Sequence, residues 1–153
     1  MRNSSYLWAY GCGGGSATSI SGLGTNGLYS DVWSTDIVAA DAKAIFHIYF
    51  GSWLCDWDTQ DNIMRSAQAT PTMGLTCSWS GRPHHYYHPM GLGETAGYGI
   101  RLSQNNNGQY KNQYNADMRG IHIALMGDPT LRMHPVAPPS GLGGARLGPA
   151  AQF

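Results

Sequence analysis

The apolar positions fall into three short dense runs and two longer periodic ones, each closed by glycine, proline or asparagine. Residues 6–10 (YLWAY) are apolar or aromatic, and Gly11, Cys12, Gly13, Gly14 and Gly15 follow at once. This reads as a short buried strand broken by a glycine loop, with a thiol at its tip. Residues 43–50 (KAIFHIYF) are a β-branched and aromatic run closed by Gly51, and residues 73–80 (MGLTCSWS) are a third run of apolar and small side chains. Both predict buried strands. Between them residues 62–69 predict a helix, stopped at Thr70-Pro71 because proline disfavours helical backbone in the residue before it.

The second half is periodic rather than dense. In residues 91–105, Leu92, Thr95, Ala96, Tyr98, Gly99 and Leu102 recur at three-to-four spacing, which predicts a helix, with Glu94 near its positive end. Residues 109–126 predict another, carrying Tyr114, Met118, Ile121 and Leu125 on one face. Gly127-Asp128-Pro129 turns the chain, and residues 130–136 read as a last short strand. Residues 20–29 are turn material around Asn26-Gly27, and residues 31–42 a short helical or loop segment. Strands alternating with helices argue for an α/β domain with a mainly parallel sheet flanked by helices, over residues 1–136. Residues 137–153 are rich in Pro, Gly and Ala without periodicity, the composition of a linker or tail.

Composition narrows the partners. The 153 residues carry 9 basic and 9 acidic side chains, so bulk charge selects neither nucleic acid nor an anionic membrane surface. No apolar run approaches the ~18 residues of a membrane span. Many glycines and aromatics (21 Gly, 5 Trp, 9 Tyr, 3 Phe) with little lysine suggest tight turns under an aromatic surface, and an extracellular or cell-surface setting is the expectation. Cys12, Cys55 and Cys77 are three in number, so they cannot all pair with one another, and no C-x-x-C spacing points to zinc.

The chemistry begins at Cys12. A thiol at a strand tip is either a nucleophile, since open α/β sheets bind ligands beyond the carboxyl ends of their strands, or a small buried filler. Tyr10 stands where a nucleophile elbow has its first glycine, so that motif is not met. The same strand-end rule makes Gly13, Ser52, Trp53, Trp79, Ser80 and Arg82 candidate substrate-binding residues. His84 and His88 have an i, i+4 spacing, but Pro83 and Pro89 disfavour the helix that would make it a metal pair, and no metal ligand set is assigned. Asp56, Asp58 and Asp61 fail the EF-hand pattern at Gln60; a looser calcium site, or a carboxylate pair beside Trp53, Trp57 and Trp79 for glycoside cleavage, stays open. His47 and His122 lie in apolar runs and read as core residues.

The block GDPTLRM at residues 127–133, preceded by the apolar residues 121–126, together with the Cys12 tip and the strand ending in Gly51-Ser52, resembles the gingipain-type cysteine peptidases. The resemblance spans residues 6–136 and implies a caspase-like fold. It implies Cys12 as the nucleophile, with its backbone N–H in the oxyanion hole, acting by acyl transfer on a peptide or protein substrate without a cofactor. In that family the histidine partner lies on the tip of the preceding strand. The matching position falls before Met1, and all six histidines follow Cys12. The expectation is therefore an N-terminally truncated domain, whose missing N-terminal half carries the base. A non-catalytic, surface-binding module of the same fold is the alternative.

Overall fold

The computed structural model describes residues 4–23, 30–79, 85–105 and 123–133. Its centre is a four-stranded sheet of β1 (Tyr6–Cys12), β4 (Ala44–Phe50), β5 (Thr76–Trp79) and β6 (Ala124–Gly127), in that spatial order. The first three strands are parallel, with Cys12 level with Phe50 and Tyr49 level with Trp79, and β6 runs antiparallel to β5. A second, two-stranded antiparallel sheet pairs β2 (Ser19–Ser21) with β3 (Asp31–Trp33). The domain is thus α/β with a mainly parallel sheet, as the alternation of elements predicts.

Both faces of the four-stranded sheet are covered. On one, helix α1 (Ser34–Ala39) and helix α2 (Ile63–Gln68) bring Ile37, Ile63, Met64 and Ala67 against Tyr49, Cys77 and Leu54. On the other, a 3-10 turn (His88–Leu92) and helix α3 (Ala96–Gln104) bring Met90 and Ala96 onto Phe46 and Trp8, whose rings stack at 4.8 Å. Alternation along a strand assigns the sides. Trp8, Tyr10 and Cys12 share the α3 face with Phe46, Ile48 and Phe50 across β4, while Gly11 faces the α1–α2 side under Leu23.

Several boundaries depart from expectation. The first strand runs on through Gly11 to Cys12, so the thiol ends the strand instead of following it. The segment read as turn material opens with β2, which folds back on the glycine loop: Ser21 N–H donates to Gly14 O at 2.8 Å and Ser16 N–H to Ser19 O at 3.0 Å. Residues 24–29 lie outside the described residues. The helix expected from residue 91 begins at Ala96, behind the N-cap Thr95, whose hydroxyl accepts from Tyr98 N–H. Leu92, assigned to its apolar stripe, is 86% exposed. The buried face is Ala96, Gly99, Ile100 and Ser103.

Two corrections are larger. The end of the helix expected over 109–126 is strand β6; residues 109–122 lie outside the described residues. A four-residue apolar stretch has no readable period, and the free edge of β5 decides its state. The strand expected over 130–136 does not form in its described part. Instead residues 128–133 wrap the start of α3: Ala96 N–H donates to Leu131 O and Gly97 N–H to Pro129 O, both at 2.8 Å. Arg132 adds a side-chain bond to the same turn, donating to Gly93 O. The block thus supplies acceptors for the orphan amides of a helix distant in sequence.

Candidate functional site at the carboxyl edge

Cys12, half-buried, is the last residue of the edge strand β1, and its side chain points to the α3 face. The following glycine is shaped by packing: a Cβ on Gly13 would lie 2.0 Å from Ser21 O, so only glycine lets β2 fold back this tightly. Its N–H is committed to Phe50 O at 3.1 Å.

The loop after β4 stands beside this turn. Ser52 is exposed, and its carbonyl lies 3.1 Å from where a Cβ on Gly15 would sit. Trp53 is 72% exposed and holds a left-handed φ of 64°, while Leu54 next to it is fully buried and packs on Gly15 and Gly51. Trp79, at the tip of β5, donates from Nε1 to Gly51 O at 2.8 Å. Gly13, Ser52, Trp53 and Trp79 therefore gather on the edge that carries Cys12. Ser80, Arg82 and His84 lie outside the described residues.

One side chain, Asn62, joins the two loops. It is fully buried and caps α2 by accepting from Met64 N–H at 3.0 Å. Its Nδ2 reaches Leu54 O at 2.9 Å, Asp56 O at 3.1 Å and Ala17 O at 3.2 Å. The sequence marks Asn62 as a helix start, but its hold on residue 17 is not legible there.

The other candidates separate by environment. His47 is buried, with Nε2 at 3.1 Å from Ala44 O and Nδ1 at 3.1 Å from Tyr49 Oη. The carbonyl can only accept, so Nε2 carries the proton and Nδ1 takes the tyrosine hydroxyl. Burial lowers its pKa, opposed by the Ala44 bond, and the ring is neutral structure in the core. His85 stacks on Tyr87, which packs against Trp8, so this loop lies over the face to which Cys12 points. Burial pushes the Tyr87 hydroxyl up to about 12. It likewise raises the Cys55 thiol, with a further rise from Asp56, and the wholly buried Cys77 thiol, with a further rise from Cys55. Both stay protonated near neutral pH.

Asp56 and Asp58 hydrogen-bond to one another, and this bond and their mutual repulsion raise the Asp56 carboxyl. Carboxyls in direct contact stand closer than the ~5 Å or more of a glycosidase pair. Among the described residues no three or more His, Cys, Asp or Glu side chains are grouped to hold a metal ion. A groove of about 600 Å³ lies between α1 and the start of α2, lined by Ser34, Val38, Asp61 and Arg65 among others; Asn62, which ties the carboxyl-edge loops, also lines it, whereas Cys12, Gly13, Ser52, Trp53 and Trp79 do not. Among the described residues no helix is long and apolar enough to cross a membrane.

Compared with known proteins, the chain matches no family model, no curated protein and no solved structure. Two side chains that the sequence reading left out flank the thiol on its own face: Phe50, level with it on β4, and Tyr10, two residues back on β1. Strand alternation was the signal for both.

Proposed function

We propose that the chain is the Cys-bearing part of a caspase-like cysteine endopeptidase domain, working outside the cell or at its surface, with Cys12 as nucleophile and a general-base histidine supplied from outside these residues. The observation that carries the reading is the position of Cys12: it ends the edge strand of a mainly parallel sheet, at the carboxyl edge where such sheets receive ligands. A further strand added along β1 on the side away from β4 would bring its own tip beside Cys12, which is where the base is needed. The Cys12 thiolate attacks a peptide carbonyl, and its backbone N–H helps to hold the oxyanion. The histidine protonates the leaving amine, and water then releases the acyl group.

The test compares the purified chain with its Cys12→Ala form. The intact chain is expected to react at Cys12 with peptidyl acyloxymethyl ketones, leaving Cys55 and Cys77 unlabelled in peptide maps. Without the external histidine it should cleave no member of a peptide library, since loss of a general base costs about a hundredfold or more. Labelling at Cys55 ahead of Cys12 would overturn the nucleophile assignment. Cys12-dependent cleavage by the chain alone would refute the external base and turn attention to His85.

A further inference from the structure

We infer that the site prefers substrates with an aromatic or large aliphatic side chain on the residue whose carbonyl is attacked, received between Tyr10 and Phe50; this rests on the Cys12 reading above. Phe50 stands level with Cys12 on the neighbouring strand, about 4.8 Å away across the ladder. Tyr10 is two residues back on the same face, about 6.6 Å along the strand. Both distances are within reach of a side chain on a residue bonded to Sγ. Tyr10 is 60% exposed, and Phe50, Ile48 and Cys12 are partly exposed, so an apolar surface beside the thiol meets solvent. The 3-10 turn and α3 cover Phe46 and Trp8 further down this face.

Charge favours the same occupant. None of the side chains that β1, β4 and β5 send to this face is charged. A lysine or aspartate placed there would lose hydration and meet no counter-ion among these strand side chains, whereas an aromatic ring loses contact with water and packs on the apolar surface of Tyr10 and Phe50. The competing basis for recognition is the Asp56–Asp58 pair in the loop after β4, which favours a basic side chain.

The experiment measures labelling rates of Cys12 in the full chain with a matched set of peptidyl acyloxymethyl ketones. They are identical except for Phe, Leu, Lys or Asp beside the ketone. In each reaction the Sγ–carbon bond forms as the carbon–oxygen bond to the carboxylate leaving group breaks, and the thiol proton passes to solvent. Phe and Leu probes are expected to react on the order of tenfold or more faster than Lys and Asp probes. Tyr10→Glu, at an exposed position that leaves the core intact, is expected to narrow or reverse the Phe-over-Lys ratio. Equal rates, or a Lys or Asp probe reacting fastest at Cys12, overturn the specificity and leave the nucleophile standing. If no peptidyl probe labels Cys12 faster than chloroacetamide matched for reactivity toward free thiol, the nucleophile reading itself fails. An unchanged ratio in Tyr10→Glu overturns the role given to Tyr10.

Discussion

The two edges of the four-stranded sheet are built on opposite principles. At the amino edge, where β6 ends and α3 begins, residues 127–133 meet backbone with backbone. Gly127 has a φ of 106°, and a Cβ there would lie 2.1 Å from Leu75 O. Pro129 and Leu131 carbonyls take the first amides of α3, and Asp128 accepts from both the N–H and the hydroxyl of Thr130. At the carboxyl edge the loops carry exposed aromatics and are tied through one buried amide, Asn62. The contrast separates a sequence block that resembles a known family from the place where chemistry is expected. The GDPTLRM block closes the fold, and the glycine-cysteine tip ends β1 at the edge to which the proposed function assigns the chemistry.

The sharpest way to break this contrast is at Gly127. Gly127→Ala is expected to cost about 4 kcal/mol, because strain at positive φ adds to a clash with backbone that cannot yield. Urea unfolding at equilibrium measures it. A loss under ~1 kcal/mol would mean the turn relaxes and that the amino edge is less rigid than described.

Next comes Asn62→Ala, expected to cost about 3 kcal/mol, since it strips a cap and leaves the buried carbonyl of Leu54 and the part-buried ones of Asp56 and Ala17 without that donor. Its signature should be local. Amide exchange should speed up in residues 13–19 and 51–61 before it changes in β5 or β6. Uniform acceleration across the sheet would show that the two edges are one cooperative unit.

The smallest effect concerns the middle of the sheet. His47 has a folded pKa below its ordinary value of about 6.5, so the unfolded chain binds the proton more readily. Its contribution to stability is complete above about pH 6.5 and is lost as pH falls from there toward the folded value. Tm measured from pH 8 to 5 should drop more steeply in the intact chain than in His47→Gln. Parallel curves would remove the assignment of His47 as a neutral core group.

What could be read in the sequence divides along a similar line. The β4 run and the α2 start were legible because each is fixed by local chemistry, a dense β-branched and aromatic segment in one case and an asparagine cap in the other. The strand end at Cys12 was nearly so, being marked by glycine. Strand β6 was not legible: residues 124–127 take their state from the edge of β5, and an apolar tetrad has no period of its own. Nor was the wrapping of residues 128–133 around α3, which depends on amides more than thirty residues away. At the site, alternation pointed to Tyr10 and Phe50, but their nearness to the thiol needed the register between β1 and β4.

That register has a kinetic consequence. Tyr6 pairs with Ala44, Phe46 with Thr76 and Thr76 with Gly127, so every contact within the main sheet closes a long loop. The hairpin after Cys12 closes over a few residues and can form in about 1–10 μs, whereas distant pairings of this kind bring folding into roughly the millisecond-to-second range. The turn that presents the thiol is therefore assembled before the surface that would recognise a substrate. During that interval unpaired strand edges meet solvent, and refolding yield should fall as chain concentration rises.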